Sequence, residues 1–480
     1  MRVFLLLVVA PAMLSVTRAE DWPQFRGQNG IGVSHQSRNL PTELSPTKNL
    51  LWQTELGEGI GSPIVVAGRV FVTALVGPQK FAVYCFDAIS GDQHWRKEFE
   101  TGPLPTIVPP NMHASSTPAA NDQQVCVYFS TLGLLMLDAA NGRLLWQHEL
   151  PLPSYQFDWG AGHSPILHGN LVILNQDDDL SPFLIAVNRE SGALVWRVER
   201  PEMLSGYALP VICRANGRSD LVISGTGKLK GYDPATGEER WTCNTLLRSM
   251  MTSPVVVDDT VYVSSDSYGD AGRVLKLGLL EHKDANKDGK LIKGELGPAF
   301  AEKFDLGDAN HDGFLEGDEI DRAFQSPTNM VGGGRTVQAI RAGGTGDVTA
   351  THLVWRLDVP AASQIVSPLV VDGRVFLVKN GGISNCFSAA DGSVVWKPKR
   401  IGNIGNYYAS PVAGDGKIYV VGENGAVIVL RQGPQLETLA INELGENCLA
   451  TPAIADNRIF LRTLTKLYCF AVAETASGAN

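Results

Sequence analysis

The sequence predicts an all-β chain closed into an eight-bladed β-propeller, with a small α-helical insertion in the fifth blade. Three observations predict it. Eight Ser-Pro-like pairs recur at near-regular spacing, a second signature Asp-x-x-(small polar)-Gly-x-x-x-Trp falls late in most units, and one interval is more than twice as long as any other.

The pairs stand at Ser62-Pro63, Thr117-Pro118, Ser164-Pro165, Leu209-Pro210, Ser253-Pro254, Ser367-Pro368, Ser410-Pro411 and Thr451-Pro452. Successive prolines lie 55, 47, 45, 44, 114, 43 and 41 residues apart. The clearest unit runs from Val366 to Trp396. Leu369 to Val371 reads as a short apolar strand, Asp372-Gly373 as a turn, and Arg374 to Val378 as a second strand. Gly381-Gly382 turns again, Ile383 to Ser388 gives a third strand, and Asp391-Gly392 leads into a fourth over Val394 to Trp396. Tight hairpins need residues tolerant of positive φ, so four strands with Gly-centred turns make one antiparallel meander. A lone meander cannot bury both faces, and stacked units with a period in the forties form a propeller.

The second signature reads Asp87…Gly91…Trp95, Asp138…Gly142…Trp146 and Asp233…Gly237…Trp241, with looser copies at Asn188…Gly192…Trp196 and Ser388…Gly392…Trp396. Asp caps the turn amides, Gly takes the left-handed position, and Trp fills the gap between neighbouring sheets. The eighth unit, from Thr451, ends without a Trp strand of its own, and Leu50-Leu51-Trp52 supplies it from the other end of the chain. Closing the ring within one blade hides the edges that an open ring would expose. The seventh unit departs from the pattern, with Leu436 to Ala440 in place of a Trp strand.

Ahead of the ring, Arg2, an apolar run to Val16 and Thr17-Arg18-Ala19 read as a signal peptide cut after Ala19. No other stretch is long and apolar enough to span a bilayer. The expected organisation is a signal peptide over 1–19, an arm over 20–48, blades 1–4 and the start of blade 5 over 49–265, an insertion over 266–334, the remaining blades over 335–472 and a tail over 473–480. The arm, Asp21 to Gly27, is expected to pack Trp22 and Phe25 onto the ring. A net charge of −10 without a basic cluster argues against nucleic acid or anionic lipid as partner. Of seven Cys, Cys85, Cys386 and Cys469 share the third-strand position of different blades and read as small core residues rather than disulfide partners. No CxxCH or zinc-type CxxC spacing occurs.

The long interval holds two twelve-residue segments, Asp284 to Glu295 and Asp308 to Glu319, that match an EF-hand loop at positions 1, 3, 5, 6, 8 and 12. Side-chain oxygens of Asp284, Asn286 and Asp288, or of Asp308, Asn310 and Asp312, wrap one side of a Ca²⁺. The carbonyl of Lys290 or Phe314 adds a ligand, and Glu295 or Glu319 closes the cage. Glu316 adds an acid at the ninth position of the second loop, where the first has Ile292, so the second site is expected to bind more tightly. Apolar flanks repeat with a period of 24, Leu280 with Phe304, Leu296 with Ile320 and Phe300 with Phe324. Residues 284–319 carry ten acidic and four basic side chains, a net of −6, so this segment repels itself without metal.

The insertion lies between the second and third strands of its blade, on the same face as the connections between blades. That face is expected to carry His113, Asp158, His163, Tyr207, Tyr408, Asp177-Asp178-Asp179, Lys379 and Glu423 as a polar funnel. Asp177 and Asp158 are candidate bases, with nothing to single out either.

The Ser-Pro openings, the Asp-x-x-x-Gly-x-x-x-Trp closings and the Asp21–Gly27 arm resemble exported pyrroloquinoline-quinone-like (PQQ-like) β-propeller proteins over nearly all of the mature chain. That resemblance implies two functional classes. One comprises quinone-dependent dehydrogenases of alcohols or sugars, which hold PQQ with a Ca²⁺ in the funnel. The other comprises non-catalytic scaffolds similar to BamB, which bind other proteins. Such alcohol-oxidising enzymes usually stack the cofactor on a disulfide between adjacent cysteines, and no two Cys are adjacent here. The reading is therefore an exported, periplasmic or extracellular scaffold with two Ca²⁺ sites, binding protein partners or a small ligand at the funnel. A PQQ-dependent oxidoreductase is the alternative, and no particular residue carries PQQ.

Overall fold

In the computed structural model, each meander folds as an antiparallel sheet and eight such sheets follow one another around a ring. The structure describes residues 20–247, 251–267, 272–324 and 333–473. The signal-peptide reading falls outside these residues. In the sixth blade the strands are Leu369–Val371, Arg374–Lys379, Ile383–Ser388 and Val394–Arg400, close to the expected bounds. The first strands of successive blades stand side by side around the central channel.

The Ser-Pro pairs explain how those inner strands are joined. The backbone N–H of Ser62 donates to the Thr117 hydroxyl at 3.0 Å, that of Thr117 to Ser164 at 3.0 Å, and that of Leu209 to Ser253 at 2.9 Å. The chain of bonds continues through Ser253 to Ser367, Ser367 to Ser410 and Ser410 to Thr451, and closes from Thr451 back to Ser62. Leu209 has no hydroxyl, so the link from Ser164 is missing from this ring.

The second signature joins the outer strands. Five Trp rings lie on the Gly turn of the following blade: Trp95 on Gly142, Trp146 on Gly192, Trp196 on Gly237, Trp52 on Gly91 and Trp355 on Gly392. A Cβ at Gly142 would come within 2.6 Å of the Trp95 ring, and its φ of 71° is left-handed, so both space and backbone demand glycine. The indole N–H then donates to a carbonyl of that same turn, as Trp95 does to Ala139 at 3.1 Å and Trp146 to Arg189 at 2.8 Å. The signature Asp accepts turn amides, as Asp87 does from Ile89 and Ser90.

Two tryptophans face blades that lack this turn. The seventh blade, with outer strand Thr438–Glu443, leaves the buried Trp396 indole nitrogen without a partner. Trp241 donates instead to Asp220 at 2.8 Å. The fifth blade replaces its turn with a segment that adds Gly346–Asp347 as a parallel fifth strand on blade 4, an addition too short to show in the sequence pattern.

The strand missing from the eighth unit comes from Leu50–Glu55, which pairs antiparallel with Lys466–Phe470 as the outer strand of blade 8. The arm runs across the opposite mouth of the channel from the insertion. Trp22 pairs with Val65 of blade 1, Pro23 accepts from Ala120 of blade 2, and Asn29 exchanges two bonds with Ile212 of blade 4. Arg26 donates to the Pro368 carbonyl of blade 6 at 2.6 Å, and residues 32–34 pair with Ala413 of blade 7. Trp22 is buried and Phe25 packs against the core of blades 3 and 4. Burial without a carboxylate partner lowers the Arg26 guanidinium to about 9. All seven Cys are buried and unpaired.

The insertion leaves a long hairpin, Thr260–Ser267 paired with Gly334–Arg341, whose register continues to Ser267 opposite Gly334. Its helices are α1 (Gly272–Lys283), α2 (Lys293–Leu296), α3 (Ala301–Gly307) and α4 (Asp318–Phe324). Leu279, Leu296, Phe300, Phe304, Ile320 and Phe324 form their shared core, with Leu280 at its margin.

Candidate functional site

The two acidic loops lie between helices of the insertion and face each other. Leu291 and Leu315, both buried, exchange backbone bonds of 3.0 and 2.8 Å, so the loops are coupled by a two-residue β-bridge. Within the first loop, Asp284 accepts from the amides of Asp288 and Gly289, Asn286 from Asp288, and Asp288 from Lys290. Glu295 accepts from Ala285 and Ile292, each at 3.0 Å. The second loop repeats every one of these bonds, through Asp308, Asn310, Asp312 and Glu319. Gly289 and Gly313 have φ of 82° and 86° with open space at Cβ, so glycine is required there by the backbone bend alone. Among the described residues, no three His, Cys, Asp or Glu side chains converge into a cluster that could hold a metal. The full oxygen set of each loop also includes an Asn side chain and a backbone carbonyl, from Lys290 or Phe314. Its chemistry fits a hard cation such as Ca²⁺.

Glu316 does not stand free beside its loop. The Lys290 ammonium lies 2.9 Å from it, crossing from the first loop to the second, and this pairing raises the lysine pKa. The extra acid at the ninth position is thus partly offset.

The insertion rests on the connection between blades 2 and 3. Lys283, one residue before the first loop, donates to both oxygens of Asp158 at 2.7 Å. Phe157 packs into the insertion core and lies 5.5 Å from the His282 ring. Asp158 adopts a left-handed φ of 53°, which turns the connection beneath α1.

The acidic run Asp177–Asp179 does not line an open funnel. All three are buried. Asp177 forms a two-pronged pair with the buried Arg200, at 2.7 and 2.9 Å. Asp178 accepts the Ser154 amide and Asp179 the Gln156 amide, at 2.9 and 3.0 Å. The run therefore braces the connection that carries Tyr155, Phe157 and Asp158. Neither candidate base is free, since Arg200 engages Asp177 and Lys283 engages Asp158.

His163 is likewise buried, sharing a 2.6 Å hydrogen bond with the Tyr155 hydroxyl and stacking on Tyr207 at 5.4 Å. Burial pushes its pKa down to about 3. Glu423 accepts from the Asn406 side chain at 2.9 Å, and burial and then Glu423 raise the Tyr408 pKa. Lys379 is near the neck of the insertion, where burial and then Arg335 lower its pKa.

Between the insertion and the connections lies a cleft of about 370 Å³, lined by Ile107, Met112, His113, Tyr155, Leu296 and Phe300 among others. A larger cleft of about 530 Å³ lies beside arm residues 31–38 on the opposite mouth, and none of the residues singled out for the funnel reach it. Tyr155, Phe157 and Lys283 carry no motif of their own, and only an unusual run of aromatics, Tyr155 to Trp159, hints at their place.

No described residue is singled out for PQQ, a tricarboxylate. On this face Lys283, Arg200 and Arg335 each already meet a carboxylate, and all seven Cys are separate and unpaired.

No curated protein matches the chain. Among solved structures, BamB from Moraxella catarrhalis aligns over 89% of this chain and 100% of its own, at 15% identity and a TM-score of 0.55. A quinohemoprotein alcohol dehydrogenase from Comamonas testosteroni aligns over 97% of this chain and 83% of its own, at 11% identity and a TM-score of 0.53. At such identities the likeness shows the fold alone. A repeat-family profile matches residues 28–157, 154–277 and 319–478, and so passes over 278–318, most of the insertion. On that match, the chain belongs to the PQQ-like repeat family described as outer membrane protein assembly factor BamB.

Proposed function

We propose that this chain is an exported, calcium-binding propeller that serves as a binding scaffold for protein partners. Export is supported by the signal-like start, Arg2 to Ala19, and no described helix is long and apolar enough to cross a membrane. The scaffold reading is supported by the family, whose description is that of an assembly factor, and by carboxylates already engaged on the insertion face.

One observation carries the calcium reading: two loops with the same ligand spacing repeat the same hydrogen bonds and are bridged through Leu291 and Leu315. Asp284, Asn286, Asp288, Lys290 through its carbonyl, and Glu295 hold the first ion. Asp308, Asn310, Asp312, Phe314 through its carbonyl, and Glu319 hold the second, with Glu316 contributing at the ninth position. Exported modules of this kind bind at about 10⁻⁴–10⁻³ M, which suits lasting occupancy outside the cell. Calorimetric titration of chelator-treated protein is expected to show two Ca²⁺ per chain, and Glu295→Gln with Glu319→Gln to abolish both. Absence of uptake by the unsubstituted protein would overturn the reading.

The alternative is a PQQ-dependent oxidoreductase of alcohols or sugars, the other class that the PQQ-like repeats imply. Titration with PQQ and Ca²⁺, followed by dye-linked oxidation, decides between the two. Stoichiometric binding with turnover would replace the scaffold reading.

A further inference from the structure

We propose that the cleft between the insertion and the propeller is a binding site for an uncharged, largely apolar small molecule, and that metal in the insertion tightens it. The second clause rests on the calcium reading above; the first does not.

The volume of about 370 Å³ falls in the range of roughly 300–1,000 Å³ that holds small molecules. Three separate elements wall the cleft. The connection between blades 1 and 2 gives Ile107 and Met112, that between blades 2 and 3 gives Leu152 and Tyr155, and the insertion gives Leu296 and Phe300.

The charges in these walls are already matched. Asp158 and Lys283 hold each other at 2.7 Å, and Glu295 is turned to its own loop amides at 3.0 Å. An ionic ligand would shed its hydration without gaining a free counter-charge, which is unfavourable. Burial lowers the His113 pKa, so this ring enters as a neutral donor or acceptor. With Ser130 and Ser154 it can hold one polar end of an otherwise apolar ligand.

The insertion wall is also the exit of the first acidic loop. Glu295 is both the last residue of that loop and part of α2, and Leu296 follows it directly. At the loop's other end, Lys283 joins Asp284 to the propeller through Asp158. An ion that fixes Asp284 and Glu295 therefore fixes the wall and the latch together. Coupling of this kind is reciprocal, so a ligand in the cleft tightens the metal by the same factor.

The test uses the full chain and the neutral fluorophore N-phenyl-1-naphthylamine, titrated with and without Ca²⁺. One probe per chain is expected, bound roughly fivefold or more tightly with Ca²⁺. Ala299→Trp, at an exposed position on the insertion wall, is expected to fill the cleft and weaken the probe at least tenfold. Leu152→Glu, also at an exposed position, should weaken it by adding a charge, and serves where Ala299→Trp alters the melting curve. Asp158→Asn, which breaks the latch, is expected to make probe affinity the same with and without Ca²⁺.

Probe binding that both wall substitutions leave unchanged, or equal affinity for the anionic 1-anilinonaphthalene-8-sulfonate, would overturn the site. Calcium uptake without Ca²⁺-dependence of the probe would overturn the coupling. Wall-sensitive binding in a chain that takes up no calcium would remove the metal reading and leave the cleft standing. Calcium uptake with no probe bound would do the reverse.

Discussion

Between neighbouring blades the same contacts recur: a backbone N–H to a Ser or Thr hydroxyl on the inside, and an indole over a glycine turn on the outside. The insertion is built the other way. Nine buried side chains form its own core, while ten acidic groups in residues 284–319 repel one another. The ring draws its stability from repetition, and each contact can be weakened with its neighbours still in place. The insertion depends on that one core, two loops and one latch. The difference teaches that local sequence similarity between blades is a record of inter-blade packing, whereas the insertion's acid spacing is a record of the amides its own loops must satisfy.

Trp146→Ala breaks the ring side of this comparison most severely. Removing a large buried aromatic costs about 3–5 kcal/mol, and denaturant unfolding is expected to show that loss with or without Ca²⁺. Calcium tests the other side. At a hundred times its dissociation constant it is expected to stabilise the insertion by about 2.7 kcal/mol per site. Amide exchange is therefore expected to slow across 279–324 and to stay unchanged in the inner strands. Equal protection of both regions would show that the two are not separate units.

The third prediction concerns acid. The His163 pKa is lowered by burial to about 3, from an ordinary value near 6.5, so the neutral ring contributes stability above the unfolded value. That contribution declines as pH falls from about 6.5 towards 3, by about 1.4 kcal/mol per pH unit where only the unfolded chain is protonated. His163→Phe is expected to flatten this part of the stability-against-pH curve. An unchanged slope would place the acid sensitivity elsewhere. The smallest effect belongs to one link of the inner ring. Ser253→Ala leaves the Leu209 amide without its acceptor, and the free energy of unfolding should fall by about 1–2 kcal/mol.

The blade pattern could be read because its determinants are local. In Val366 to Trp396 the turn glycines and the indole sit within one unit, and the four strands fall where those residues place them. The acidic run Asp177–Asp179 could not be read the same way. Consecutive acids look like solvated surface, yet the partners of Asp178 and Asp179 are amides 24 and 23 positions away. The latch was further from view, since Lys283 and Asp158 are 125 positions apart and neither belongs to a repeated motif. Gly346–Asp347 offers only two residues, too few for alternation to appear. The ligand spacing of the loops was plain, but the pairing of Glu316 with Lys290 joins side chains from different loops.

Closure through Leu50–Glu55 imposes an order on how the chain becomes complete. Leu44, in the arm, waits for Asn442, 398 positions later, and Leu50–Glu55 waits for Lys466–Phe470. During synthesis, the earliest part of the ring is thus the last to find its partners. Until the final residues arrive, an apolar strand with Leu50, Leu51 and Trp52 stays open to pairing with another chain. Loss of a few dozen residues from the end would not trim one blade but leave Leu50–Glu55 without its pairing strands and uncover the sheet faces of blades 1 and 7. Damage to the last strand is therefore expected to read out as self-association rather than as a shortened ring.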